Sequence, residues 1–572
     1  MFRSFRLLVL LQFTAFQVFS QTNRSATYDE CIAFYRHIDK KYPQAKLLEY
    51  GLTDVGKPLH LLVISRDGDF NPESVHRKRR PVLLILNGIH PGEPDGIDAS
   101  MMLTDTLLST QEGKRMLGNT VLLIVPVYNV DGMLNRGCCS RTNQNGPEEY
   151  GFRGNARNLD LNRDFIKCDS ENAKSFTRLF REWNPQVMVD THVSDGADYP
   201  YTMTLILTQH NKIHPVMGNF LKHVFTPALF NSMKEKGDEM IPYVNTANYG
   251  DDPETGIYGF LETPRYSTGY AALFNTLGFV AESHMLKPFH QRVQSTYRLL
   301  CSLLENVKTF SSEIVDLKQK ADSLCASMKT FELQWEPDTS KFDTLLFKGY
   351  EIRKEKSTVT GFERIRYDRN ALFERPVRFY DYYRATVTVQ RPDYYLIPQA
   401  WSELIMRMKL NKVNMTQLAS DSIIEAEVLY IEKHKSSSSP YEGHYINTVL
   451  QLRRQTEKVK VFKGDYLIPV NQPCNRYIVE TLEPQGVDSW FTWGLFDAIL
   501  QQKEWFSSYV FEDLADSLLK SNRKLHSDFI LKKETDSLFA KDSFAQLYYI
   551  YQHSPYFEKT YRRYPVLRVN TK

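Results

Sequence analysis

Short apolar runs that end abruptly in ionisable groups constrain this chain most. Val82-Leu83-Leu84-Ile85-Leu86 leads into Asn87-Gly88-Ile89-His90-Pro91-Gly92-Glu93. Val187-Met188-Val189 leads into Asp190-Thr191-His192, and Gly278-Phe279-Val280-Ala281 into Glu282. Near-continuous apolar strands of this length are buried on both faces, as in parallel sheets. Ligand sites in such sheets form outside the carboxyl ends of the strands. A fourth segment, Asn158-Leu159-Asp160-Leu161-Asn162-Arg163, is loop-like and polar.

Helical spacing over Ile97 to Leu108, Ser170 to Trp183 and Asn211 to Lys236 alternates with strand patterns at His60–Ser65, Pro81–Leu86, Thr120–Val127, Gln186–Asp190 and Met203–Thr208. That order predicts an α/β fold: a mixed, largely parallel sheet with helices on both faces. A single long helix is expected from Gln291 to about Met328. At 572 residues the chain exceeds one core. The texture changes after residue 328, where Arg384–Val389, Ile423–Ile431 and Val449–Val461 read as strands and Phe491–Asn522 as an amphipathic helix. We therefore expect a signal peptide over 1–20, a catalytic domain over 24–328, and a β-rich α+β accessory region with a helical tail over 329–572.

The signal peptide is read from Arg3 and Arg6 ahead of an apolar stretch, Leu7 to Phe19, interrupted by Gln12, Thr14 and Gln17. That stretch is too short and too broken to span a bilayer. An exported protein, periplasmic or secreted, without a stable membrane span is the expectation. A net charge of +3 with no basic tail removes the electrostatic case for a nucleic-acid partner. Export permits disulfides, and the odd count of seven cysteines leaves at least one unpaired in a monomer. Cys138 or Cys139 with Cys168 is one arrangement that would staple the loop carrying Asn162 and Arg163; buried free thiols are the other.

His90 and Glu93 form the one His-x-x-Glu in the chain. Imidazole nitrogen and carboxylate oxygen suit Zn²⁺ at about 2.0–2.2 Å, and a catalytic zinc takes three protein ligands. His192, at another strand end, is the natural third. A carboxylate closing an apolar strand, as Glu282 does, is costly unless it pairs, binds metal or moves protons. Arg163 offers a planar fork for a carboxylate, and Asn162 adds a neutral donor. Arg141, Arg153 or Arg157 is placed to polarise a carbonyl. Asp190, two residues before His192, suits a partner that orients a ligand histidine. His284 leaves the same strand end as Glu282 with no assigned role.

The order His-x-x-Glu, Asn-Arg, His, Glu resembles the zinc carboxypeptidases of the carboxypeptidase A type. It is most similar to exported bacterial members with a C-terminal extension. Asn143-Gln144-Asn145-Gly146-Pro147, Asn158 to Asp164, Pro264 to Tyr270 and His284 to Pro288 carry the likeness over residues 45 to 300. Tyr395–Pro398 and Ile468–Pro473 resemble the tails of those members.

The resemblance implies one zinc on His90, Glu93 and His192, Glu282 as general base, and Asn162 with Arg163 as the carboxylate clamp. It implies Arg141 as the oxyanion arginine, and Tyr266 or Tyr270 as the substrate-binding tyrosine. The expected activity is hydrolysis of the C-terminal peptide bond through zinc-activated water. The substrate would be a peptide or other amide with a free carboxylate. Two alternatives stay open: a zinc amidohydrolase of cell-wall peptide stems or acyl-amino acids, and a non-catalytic peptide- or glycan-binding protein on the same fold.

Overall fold

The computed structural model describes residues 23–246 and 252–571; the expected signal peptide lies outside them. Nine strands belong to the first half of the chain: β1 (Ala45–Leu52), β2 (Pro58–Ile64), β3 (Val82–Leu86), β4 (Val121–Val125), β5 (Val187–Ser194), β6 (Met203–Leu207), β7 (Ile241–Pro242), β8 (Ile257–Tyr258) and β9 (Leu277–His284). All but β8 form one sheet, in the order β1-β2-β4-β3-β5-β9-β6-β7. Its centre, β4-β3-β5-β9, is parallel, while β1, β2 and the β9–β6 pair run antiparallel. This is the mixed α/β sheet expected from the sequence.

Alternate residues of each central strand enter different cores. Leu83, Ile85, Val187, Val189 and Phe279 face the helices Tyr28–Lys41, Asp95–Ser109 and Phe289–Thr309. Leu84, Leu86, Val121, Leu123 and Met188 face the helix Glu171–Trp183 on the other side. Burying both faces explains why the strands read as unbroken apolar runs.

The second core does not stop at residue 328. It continues through Tyr395, Ile397, Leu429, Tyr477, Trp490 and Trp493. The C-terminal region adds β10 (Thr330–Pro337), β11 (Asp343–Lys356), β12 (Glu363–Tyr380), β13 (Tyr383–Gln390), β14 (Tyr394–Ile397), β15 (Thr416–Gln417), β16 (Ser422–Ser436), β17 (Asn447–Val461), β18 (Tyr466–Pro469) and β19 (Leu567–Val569). Six of these make a sheet ordered β15-β18-β14-β19-β16-β17. The long β11–β12 hairpin joins the first half directly, through β12 beside β8. Helices within 508–552 enclose a small core of their own around Phe511, Phe529 and Ile550.

Three expectations are corrected. The long helix after Gln291 is two, Phe289–Thr309 and Ser311–Ser327. The break turns the Phe310 ring against Phe220 and Phe225, at centroid distances of 5.8 and 6.1 Å. Helix does not run from Phe491 to Asn522; it begins at Ser508. Gly494, at φ 72°, turns the chain where Trp490, Trp493 and Phe496 are buried in the shared core. Finally, Cys138 bonds to its neighbour Cys139, while Cys168 is buried with its Sγ 3.7 Å from Thr177 Oγ1. Among the described residues no helix is long and apolar enough to cross a membrane.

Candidate active site

β3 ends at Leu86, and Gly88 takes the left-handed conformation, φ 65°, that turns the chain sharply toward His90. Gly92 serves differently: a Cβ there would lie 2.9 Å from Arg141 Cδ, so its bareness admits Arg141 to the turn. β5 pairs with β3 on one side and β9 on the other, and His192 lies in register with Glu282. The strand ends thus bring His90, Glu93, His192 and Glu282 together across nearly two hundred residues of sequence.

The three ligands expected from the sequence are almost completely buried, at 3%, 3% and 5% exposure for His90, Glu93 and His192. One ligand atom from each lies within 4.8 Å of the others. His90 Nε2 is 2.9 Å from Asp160 Oδ1, and His192 Nε2 is 2.7 Å from Asp190 Oδ2. Carboxylates accept, so each outer nitrogen carries a hydrogen, and in the neutral ring Nδ1 presents a lone pair. Those two Nδ1 atoms face each other at 3.1 Å. Glu93 Oε2 is 3.0 Å from His192 Nδ1, and Oε1 is 3.3 Å from His90 Nδ1. Three donor atoms converging in a buried space can hold a cation between them, and an N₂O set suits zinc. Paired outer carboxylates fix the tautomers and raise ligand basicity.

Charge is balanced tightly here. Burial works against ionisation of Glu93, but Arg141 and His90 outweigh it and hold the carboxyl well below its usual range. Burial likewise disfavours the His192 cation, yet Asp190 and Glu93 raise the ring well above its ordinary value. Burial pushes Glu282 up to about 8 against the opposing pull of His192, with Glu93 adding to the rise. A raised carboxyl beside a metal cluster is an environment suited to proton transfer.

Arg141 Nη1 donates to Glu93 Oε1 at 2.6 Å and Nη2 to Val193 O at 3.1 Å. Its Nε donates to Gln144 Oε1, which ties the Asn143–Pro147 motif to the cluster. Arg153 binds Asp160 at 2.9 Å, whereas Arg157 points to the Asp169 carbonyl. Arg153 Nη1 also reaches Glu93 Oε1, at 3.5 Å, but Arg141 is the closer and the more deeply buried of the two, its side chain 20% exposed against 46%.

Asn162 and Arg163 occupy a short 3₁₀ turn whose amide is capped by Asp160 Oδ1. Asn162 Oδ1 accepts from the Ser267 amide at 3.2 Å. The Arg163 guanidinium lies over the Tyr266 ring at 4.3 Å. Tyr270 is elsewhere: fully buried, its hydroxyl donates to Asn411 Oδ1 at 2.7 Å. That placement gives it no route to a substrate, so Tyr266 remains and Tyr270 is a core residue.

Asp160 was not singled out from sequence as a site residue, although it touches both His90 and the Asn162 amide. Its place within the Asn158–Asp164 stretch was the available signal. Asp190 pairs with His192, as expected from its position. His284 is fully buried, stacked on Tyr199 and 3.0 Å from Asp198.

Residues 31–251 match the family model described as zinc carboxypeptidase. The "Carboxypeptidase 2" of Trichophyton rubrum is 22% identical over 500 residues, covering 83% of this chain and 85% of that protein. "Carboxypeptidase D" of Drosophila melanogaster is 33% identical over 154 residues, covering 26% of this chain and 10% of that protein. A metallo-carboxypeptidase structure from Burkholderia cenocepacia aligns with a TM-score of 0.37 at 18% identity, covering 50% of this chain and 70% of the other. The family match ends before Glu282, which the β5–β9 pairing brings to the cluster. By that match residues 31–251 form a zinc carboxypeptidase domain, and the His90–Glu93–His192 cluster lies within it.

Proposed function

We propose that this chain is an exported exopeptidase that removes the C-terminal residue of peptides with a free carboxylate. One observation carries the reading: a buried three-ligand cluster has, within reach, both a carboxyl of raised proton affinity and an Asn–Arg pair suited to a carboxylate. Zinc bound there supplies Lewis acidity, bringing the pKa of a water toward about 7 and polarising a carbonyl.

The chain's own groups do the rest. Asn162 and Arg163 hold the terminal carboxylate, with Tyr266 against the same substrate end. Arg141 donates to the oxygen on which negative charge develops; one such donor is worth roughly 3–4 kcal/mol of barrier. Glu282 takes a proton from water at its carboxylate and passes it to the leaving amine. The water hydroxyl joins the carbonyl carbon, and the C–N bond breaks. Asp160 and Asp190 keep the hydrogens of His90 and His192 on Nε2. On this reading residues 24–328 hold the chemistry, residues 329–572 form an accessory region packed against it, and residues 1–20 are removed on export.

The test is amino-acid release from a mixed peptide library by the purified chain. Matched samples carry free or amidated C-termini, with metal-stripped and zinc-restored protein compared. Zinc-dependent release of single residues from free C-termini only is the expected result. Release from neither, with zinc bound, would move the assignment to cell-wall stems or acyl-amino acids, or to binding without turnover.

A further inference from the structure

The β16–β17 connection reaches across the molecule and touches the clamp. Tyr441-Glu442-Gly443-His444 forms a tight turn, with the Tyr441 amide donating to His444 O at 2.7 Å and the His444 amide to Tyr441 O at 3.0 Å. Glu442 and Gly443 both have positive φ, 50° and 82°, as a type I′ turn requires. A glutamate in that conformation is strained and must be held by its surroundings. Its Oε2 accepts the Asp160 amide at 2.7 Å. On the other side of the turn, His444 Nε2 lies 2.6 Å from Asp169 Oδ2.

Tyr441 projects onto Arg163. The Arg163 Nε donates to the Tyr441 hydroxyl at 3.0 Å, and Nη1 donates to the Asn162 carbonyl at 2.9 Å. With Tyr266 stacked on the guanidinium face, position and tilt of the fork are set from three sides. Among the described residues Nη2 has no hydrogen bond. Tyr441 is itself fixed. Its ring stacks on the fully buried Trp493, centroids 6.1 Å apart. Arg265, bound to Asp488, lies over the same indole at 4.8 Å. Among the described residues Nε of Arg163 has no other partner; from the first half of the chain Asp160 Oδ2 faces Nη1, at 3.9 Å.

We propose that Tyr441 is a positioning residue for terminal-carboxylate recognition, acting through Arg163, so that the C-terminal region completes the substrate clamp. The inference rests on the reading of Arg163 as that clamp. A guanidinium held at Nε and on one face loses little freedom when it meets a carboxylate, and such preorganisation is expressed as affinity. Without the hydroxyl, Arg163 must be ordered by the substrate itself.

The experiment compares the full-length chain with Tyr441→Phe, Arg163→Ala and the double variant, using N-acylated dipeptides with free and amidated C-termini. Phenylalanine keeps the ring on Trp493 and removes only the hydroxyl. We expect Tyr441→Phe to raise KM for the free acid roughly tenfold, more than it changes kcat, with zinc content and Tm retained. The preference for free over amidated substrate should fall by the same factor. In the Arg163→Ala background the Tyr441→Phe change should have no further effect. An equal loss in both backgrounds, as general damage would produce, overturns the proposal. So does an unchanged preference ratio in Tyr441→Phe. An unsubstituted chain that does not distinguish acid from amide would instead remove the clamp reading, and the Tyr441 role with it.

Discussion

The His90–Glu93–His192 cluster and the Asn162–Arg163 loop are neighbours built by different means. His90, Glu93, His192 and Glu282 stand at or just beyond the ends of strands paired in the central sheet. Their backbones are fixed by a ladder of hydrogen bonds and by two buried cores. Asn162 and Arg163 stand in a loop, held by Asp160, Ser267, Tyr266 and the distant Tyr441. A strand-end site inherits its geometry from the sheet, whereas a loop site needs a supporting shell from elsewhere in the chain. Asp160 is the joint between them, giving Oδ1 to both His90 and the Asn162 amide.

That division can be broken experimentally. The largest effect belongs to Glu282→Gln: hydrolysis should fall by at least about 10²–10⁴-fold, the scale of general acid–base catalysis, while zinc content stays stoichiometric. Elemental analysis beside a peptidase assay checks both halves, and retained activity would remove the base assignment. Next comes Arg163→Ala, for which we expect KM for free C-termini to rise roughly 100-fold with zinc affinity unchanged. Loss of zinc in that variant would show that clamp and cluster are one unit.

Asp160→Asn tests the joint. Replacing the carboxylate leaves an amide against His90 Nε2 and should weaken zinc binding by about 10–100-fold, read by competition with a chelator. It should also raise KM, since the Arg163 turn loses its cap.

The smallest effect lies on the helix Asp95–Ser109, at the buried Asp98. Burial raises Asp98 to about 7 from a usual value near 3.8, despite the Ala26 amide donating to it. A carboxyl raised in the folded state stabilises the fold fully below its unfolded value. That contribution is lost as pH rises through the folded value. The parent chain should therefore lose stability between about pH 4 and 7 in a way that Asp98→Asn does not, measured as Tm against pH. A parallel pH profile in the two proteins would show that Asp98 does not titrate in this window.

The strand-end half of the site was legible because its signals are local. A five-residue apolar run followed by a histidine or glutamate states both a buried strand and a costly polar group at its end. His192 and Asp190 could be paired on paper for the same reason: they are two residues apart on one strand. Asp160 escaped because an aspartate in a polar loop carries no such signature; its importance lies in two contacts, 70 residues apart in the case of His90. Tyr266 and Tyr270 look equivalent in sequence, four residues apart. Packing separates them, sending one ring under Arg163 and the other into the core beside Phe274 and Asn411.

The C-terminal half shows the same limit at larger scale. Its strand patterns were visible, yet nothing local says that Tyr477 and Trp490 share a core with Leu84 and Met188. Nor does the Ser436–Asn447 loop announce that Tyr441 meets Arg163. The sequence by itself determined the α/β class, the strand ends and the chemical identity of the metal cluster, since residue type and two- or three-residue spacing are properties of neighbouring atoms. Only the tertiary structure decided which tyrosine meets the arginine, which carboxylate orients His90, and that Tyr441, from the last third of the chain, reaches Arg163. Those outcomes depend on cores and turns assembled from segments up to about 280 residues apart, where the free energy comes from burial shared between them and no local pattern records it.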